Sequence, residues 1–167
     1  MAILGIETLI YGVEDLKTST RFFEDFGLPL VTANATESRF QLPEGSSVVI
    51  RSLEDPTLPK SSVEGAGVLE VIWGMDSTQS LEALASKLGT DRELRRDEDG
   101  TVHFLTDFGI AMGLRVFAKR QVVTAPDAVN SPGRINRLNR HRNWRLRAFP
   151  KVISHVVFSV PHYREAA

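Results

Sequence analysis

Three stretches of this chain align without a gap, and a repeat at so long a period restricts the fold to copies of one module packed together. Residues 5–27 read GIETLIYGVEDLKTSTRFFEDFG, residues 67–89 read GVLEVIWGMDSTQSLEALASKLG, and residues 152–167 read VISHVVFSVPHYREAA. The first two superpose from Gly5 on Gly67 to Gly27 on Gly89, and the third from Val152 on Gly5 to Ala167 on Thr20. In this frame Thr8, Glu70 and His155 share one column. One structural position therefore carries a hydroxyl, a carboxyl and an imidazole.

Each copy opens with β-branched and aromatic residues, at 8–13, 71–75 and 155–160, which predict a buried strand. A polar break follows, in which Asp15 or Ser77 is suited to cap a helix. Leu81, Leu84, Ala85 and Leu88 then recur at the spacing of one helical face, and Phe22, Phe23 and Phe26 take that role in the first copy. Gly27 and Gly89 stand where a left-handed residue closes a helix.

Beyond the first helix, 30–34 and 39–42 flank a polar turn, and 47–53 follows the turn at 44–46. Beyond the second, 93–96 and 101–106 flank 97–100, whose Asp-Gly ending signals a hairpin, and 110–117 follows the turn at 107–109. RFQLPEG at 39–45 lies over HFLTDFG at 103–109. Both copies therefore predict strand, helix and three antiparallel strands, joined by a loop at 55–62 that contains Pro56 and Pro59.

Composition narrows the classes further. A chain of 167 residues, 42% hydrophobic and 25% charged, has the length and balance of a globular domain with an appendage. No stretch approaches the roughly 20 apolar residues of a membrane helix, and the N-terminus lacks the pattern of a secretory signal, so a cytoplasmic location is expected. The absence of cysteine excludes disulfides and thiolate ligands, leaving His, Asp and Glu for any metal. The net charge of −1 hides an asymmetry: RINRLNRHRNWRLR at 134–147 holds six of the 20 basic residues and no acid. Turn-forming residues precede it and Pro150 follows, as for a connector. Its aromatics, Trp144 and Phe149 nearby, do not alternate with the basic residues as in a single-strand platform, and the rest of the chain is acidic. Pairing of Arg134, Arg137 and Arg142 with acidic protein surfaces is therefore expected over nucleic-acid binding.

The two βαβββ modules over 1–117, with a third beginning at 151, resemble the vicinal oxygen chelate superfamily, which includes glyoxalase I, bleomycin- and fosfomycin-resistance proteins and type I extradiol dioxygenases. The resemblance implies an α+β fold: two modules pair into a curved eight-stranded sheet enclosing a cavity. It also implies three segments. These are a module pair over 1–120 (modules 1–54 and 64–120), an Arg-rich linker over 121–150, and the first strand and partial helix of a truncated third module over 151–167.

In metal-using members the first strand of a module commonly supplies a His and the last strand a Glu. A set of two His and one carboxylate suits Fe(II), because open positions remain for substrate and dioxygen. Thr8 is a poor ligand, and the final strands of both modules offer Arg51 and Arg115 where an acid would be needed. Glu70 is read as a polar residue lining a cavity or paired with an arginine, His103 as a strand histidine with no second ligand near it in sequence, His141 as solvated, and His162 as a helix-entry residue. No metal is expected in 1–117. His155 stands in the ligand column and is the expected metal ligand, for Fe(II) or Mn(II) in an intact parent protein.

The arrangement is most similar to the type I extradiol dioxygenases, whose N-terminal module pair has lost the metal and whose C-terminal pair opens with the first His. The implied partners are a small catechol-like aromatic diol and O2, in a homo-oligomeric enzyme without nucleic-acid or membrane partners. The chain alone is expected to be inactive, since the co-ligands would come from elements after Ala167. Two alternatives stand beside this reading. One is a metal-independent small-molecule binding protein, with Tyr11, Phe40, Trp73 and Phe104 as cavity walls or, more simply, as core. The other is a glyoxalase-type metal-dependent lyase or isomerase.

Overall fold

The computed structural model describes residues 2–62, 65–123 and 148–158. The Arg-rich segment at 134–147, with His141, and the third helix entry at His162 lie outside the described residues. The first copy comprises β1 (Ile3–Val13), α1 (Leu16–Phe26), β2 (Leu30–Ala33), β3 (Glu37–Gln41) and β4 (Ser47–Ser52). The second comprises β5 (Gly67–Met75), α2 (Thr78–Leu88), β6 (Arg95–Arg96), β7 (Val102–Leu105) and β8 (Ala111–Val116). Both are βαβββ modules, as the repeat predicts. β1 and β5 start earlier than their apolar runs because they pair with each other along their length, from Ile3 opposite Met75 to Gly12 opposite Gly67.

The strands form one open mixed sheet in the order β2-β3-β4-β1-β5-β8-β7-β6, with β2 and β6 at its edges. β1 pairs with β4, and β5 with β8, in parallel. The antiparallel β1–β5 joint sets Thr8 opposite Ile72 and Ile10 opposite Glu70. Thr8 corresponds to Glu70 and Ile10 to Ile72, so these two pairs are the same pair seen from either copy. The sheet therefore obeys the twofold relation that the sequence repeat implies. The later strands follow it too: Arg39 faces Val49 in the first copy, and His103 faces Gly113 in the second.

Alternation along each strand divides its side chains between two faces. One face carries the core. Phe40, Ile50, Leu28 and Val13 pack with Phe23 of α1, while Met75, Val102 and Leu114 pack with Leu81 and Ala85 of α2. Each such side chain contributes about 1.5–3 kcal/mol on burial. Tyr11, Phe40, Trp73 and Phe104 all join these clusters as core, and Phe104 alone of the four also borders the cavity described below. Burial pushes the Tyr11 hydroxyl above its ordinary range. Glu70, Ile72, His103, Gly113 and Arg115 alternate with these core positions and occupy the opposite face.

Local signals held where geometry demanded them. Asp15 accepts from the Thr18 amide at 2.9 Å and Ser77 from the Ser80 amide at 3.2 Å, the N-caps read from sequence. Gly27 closes α1 at φ +105°, but Gly89 sits at φ −67° and is not left-handed, because the chain continues into a further turn over 90–92. The aromatic face of α1 is also narrower than predicted. Phe23 packs edge-on to Tyr11 at 5.5 Å, whereas Phe22 and Phe26 remain 62% and 54% exposed.

The third copy departs most from its predicted form. Residues 151–158 carry no strand, and His155 is exposed. This stretch lies on the core side of the β1–β5 joint, with Ile153, Val156 and Phe158 against Ile6, Leu9 and Val71. A lone strand has no ladder partner, and burying its apolar side chains on an existing sheet is the available alternative. The buried Glu44 secures it: the Ile153 amide donates to Glu44 Oε1 at 2.9 Å, and Lys119 Nζ lies 3.5 Å from Oε2. Among the described residues, no helix is long and apolar enough to cross a membrane.

Candidate functional site

The polar face of the second module concentrates the titratable groups. Glu70 on β5 and His103 on β7 are separated by β8, which presents only Ala111 and Gly113 between them. Strands lie about 4.8 Å apart, so two long side chains meet across an intervening strand only if its residues are small. A Cβ at Gly113 would lie 3.1 Å from Ile72 Cγ1 and 3.6 Å from Glu70 Oε1. His103 Nδ1 meets Glu70 Oε1 at 2.6 Å, and its Nε2 meets Asp97 Oδ2 at 3.0 Å. Both ring nitrogens thus face carboxylate oxygens. Glu70 is 2% exposed, and its Oε2 has no hydrogen-bond partner.

A second network runs beside the first. Register shifts at Glu7, between Ile6 and Thr8, mark a β-bulge. Thr8 Oγ1 donates to Glu7 Oε2 at 2.7 Å, and Arg115 Nη1 donates to the same oxygen at 3.3 Å. Arg115 also donates to Thr101 Oγ1 at 2.7 Å and Asp99 Oδ2 at 2.6 Å. Burial acts to raise the Asp99 carboxyl, but the Thr101 hydrogen bonds and the nearby Arg115 and His103 charges outweigh it and hold Asp99 below its ordinary range. Arg115 is therefore a neutralised structural cation joining β1 to β8 and the 97–100 hairpin.

Glu70 and His103 line a cavity of about 680 Å³ between the sheet and the loop at 56–60. Its other walls include Pro56, Leu58, Pro59, Leu94, Phe104, Leu105 and Ala111, with Lys60, Arg92, Glu93 and Arg95 among the lining residues. The loop wall is fixed from both modules. Arg51 of the first pairs with Asp55 and reaches Thr57 Oγ1, and the Thr57 amide donates to Asp55 Oδ1 at 2.9 Å. Hydrogen bonds from the Thr57 side chain and amide, with the Arg51 charge, hold the Asp55 carboxyl below its ordinary value. At the far end the Ser62 amide donates to the Gly109 carbonyl at 2.7 Å.

The sequence assigned Glu70 a cavity-lining or Arg-paired role; it lines the cavity, and its partner is His103. His103 itself was read without a neighbour, because 33 positions separate the two residues. A signal was present: Arg39 and His103 share a column, and Ala111 and Gly113 are the small residues that a first-strand and a third-strand side chain need in order to meet. The structure does not bring His155 to this site. It is exposed, with Nδ1 3.0 Å from Ser154 Oγ.

These residues do not fit a catalytic metal. Such a site needs several converging N and O donors. Here both His103 nitrogens are engaged by carboxylates, and the paired cation Arg115 stands on the final strand. Among the described residues no group of three or more His, Asp or Glu side chains is placed to hold an ion.

Solved structures share this architecture. An extradiol ring-cleaving dioxygenase from B. fuscum matches with a TM-score of 0.55 at 15% identity, over 72% of this chain and 34% of that one. The fold is shared with ring-cleaving dioxygenases and a glyoxalase. A 2,3-dioxygenase from Pseudomonas sp. KL28 shares it with a TM-score of 0.54 at 18% identity, over 70% of this chain and 41% of the other. A Mn(II)-bound glyoxalase from Novosphingobium aromaticivorans does so with a TM-score of 0.52 at 17% identity, over 72% and 42%. The chain thus spans about two fifths or less of the length of these proteins. Neither a protein-family model nor a curated protein sequence matches it.

Proposed function

We propose that residues 1–120 are the metal-free module pair of an extradiol-type dioxygenase, with an Arg-rich linker over 121–150. In this reading the metal-bearing pair opens with the third repeat at 151, and His155 is the first ligand to Fe(II) or Mn(II). The enzyme opens the ring of a catechol-like aromatic diol with O2, as a cytoplasmic homo-oligomer without nucleic-acid or membrane partners. One observation carries the reading. In a fold shared with dioxygenases, strand register makes Thr8 and Glu70 equivalent, and the sequence repeat alone aligns His155 with them. Thr8 is committed to Glu7 and Glu70 to His103, which leaves the imidazole of His155 as the metal-competent side chain of the column.

The reading requires a second His and a carboxylate from further module sequence joined to the third repeat. It is tested on the full-length gene product purified without oxygen and supplied with Fe(II). About one iron per subunit, ring opening of catechol, and loss of both in His155→Ala are expected. Iron bound equally well by His155→Ala, or a reading frame without the two co-ligands, refutes it. Ring opening by the pure 167-residue chain would also refute it, by showing that the active site lies elsewhere.

A further inference from the structure

We propose that the outer face of α1 is a self-association surface, on which α1 of a second copy of this chain packs antiparallel about a twofold axis. The contact gives a surface to the homo-oligomer of the preceding reading, and it rests on neither iron nor His155. Its apolar part is the Phe22–Phe26 pair. The two rings stack at 6.4 Å with 16° between their planes, and Phe23 meets Phe22 edge-on from behind at 5.5 Å. Both rings stay more than half exposed, although Phe23 between them in sequence packs against the core. A flat apolar pair already fixed in place loses little freedom on being covered.

Charge selects the occupant and its direction. Arg21 precedes Phe22 and Asp25 precedes Phe26, so at about 3.6 residues per turn the two charges form a row alongside the rings. A twofold axis across α1 reverses that row on the second copy. Arg21 then faces the partner's Asp25, Asp25 faces the partner's Arg21, and Phe22 lies against the partner's Phe26. The midpoints of the two pairs fall at 23 and 24, so one axis serves both. Parallel packing would set like charges side by side, which is unfavourable. The ion pair within one helix does not use up these charges. It spans 3.7 Å with side chains 85% and 74% exposed, a pairing worth little in water, and the twofold contact extends it to a closed ring of four alternating charges.

The repeat supplies a comparison within the same molecule. The corresponding positions of α2 are Ala83, Leu84, Lys87 and Leu88. Leu84 and Leu88 pack against the second core cluster, and Ala83 offers Lys87 no counter-charge. α2 also buries Ser80, Leu81 and Ala85, whereas α1 buries no residue fully. The fold therefore requires neither exposed rings nor a charge row at this place. At about 1.5 Å per residue, the 11 residues of α1 span about 16 Å. That is a small patch against the roughly 800 Å² per partner of a stable complex, so the contact is a weak, concentration-dependent one.

The test is sedimentation velocity on the whole 167-residue chain, between about 5 and about 500 μM, where a small contact with a Kd on the order of 100 μM becomes visible. The mean mass is expected to climb from one chain toward two, since a twofold contact closes on itself. Phe22→Ser/Phe26→Ser should keep the chain single throughout. Arg21→Asp should weaken association about tenfold or more, because it sets two acids side by side at each end of the contact. Arg21→Asp/Asp25→Arg rebuilds the alternation in reverse order and should return the Kd to within about threefold of the original. The charge variants lie at exposed positions, so they decide the matter if circular dichroism shows that Phe22→Ser/Phe26→Ser does not fold. A chain that stays single at the highest concentration overturns the proposal and assigns the face to a different partner. So does association unmoved by the phenylalanine replacements, or a charge swap that fails to restore it. None of these outcomes involves iron: the dioxygenase reading survives a single chain, and this contact survives a chain that binds no metal.

Discussion

Replacing His103 with alanine strips Glu70 of its hydrogen-bond partner and tests how strongly the inner face depends on that contact. Glu70 is 2% exposed and its Oε2 is already unbonded, so in the variant neither oxygen has a partner. Stranding a buried carboxyl group without its hydrogen-bonded partner costs about 3–5 kcal/mol, and that is the expected loss. Urea unfolding followed by circular dichroism measures it, and His103→Ala/Glu70→Gln separates the stranded carboxyl from the packing lost with the imidazole. The double variant should be the more stable of the two, by about 1–3 kcal/mol. A loss below about 1 kcal/mol in His103→Ala, or a double variant no more stable than the single, would refute the claim that the His103 contact is what satisfies Glu70.

Three further perturbations follow from the fold. Gly27→Ala places a Cβ 2.0 Å from the Ala148 carbonyl oxygen at φ +105°, and should cost about 1–3 kcal/mol in thermal unfolding. Its repeat mate Gly89→Ala, at φ −67° with its nearest neighbour 3.3 Å away, should change stability by about 1 kcal/mol or less; equal effects would contradict the two cap geometries. Glu44→Ala removes the acceptor for the Ile153 amide, so hydrogen exchange at Ile153 should accelerate about tenfold or more, and unchanged protection would show that apolar contact alone holds the segment. Asp55 should titrate below its ordinary 3.8 in carboxyl NMR, and Thr57→Val should move it upward. Because the folded carboxyl is the stronger acid, its contribution is present above pH 3.8 and is lost as pH falls through the folded value; a midpoint unmoved by Thr57→Val would discount the hydrogen bond.

The fold was legible because the repeat is long and carries its turns with it. The alignment of 39–45 on 103–109 reappears in the strand register of His103 against Gly113 and of Arg39 against Val49. What escaped the sequence depended on neighbours that it does not display. Gly89 has the residue type of a left-handed cap, but the following turn at 90–92 keeps it right-handed. Phe22 and Phe26 share the spacing of Phe23, yet the sheet beneath α1 receives Phe23 alone, between Tyr11 and Phe40. Glu70 and His103 are ordinary residues on separate strands. Their meeting depends on Ala111 and Gly113 being small, a property of the strand between them. The exposed position of His155 follows from the same logic, since a strand-like sequence without strand neighbours buries what it can and leaves the rest in solvent.

The loop at 56–60 makes the two copies mutually dependent in a way that their symmetry conceals. It belongs by sequence to the joint between modules, is fastened at one end by Arg51 of the first and at the other by contacts with the 107–109 turn of the second, and walls the cavity of the second alone. A duplicated gene normally leaves one copy redundant and free to be lost. Here the first copy supplies the clamp that holds the wall of the second copy's pocket, and it cannot be discarded without loosening that wall. Splitting the chain within 55–62 and mixing the halves should restore the sheet but not the pocket, which makes continuity of the backbone itself part of the site.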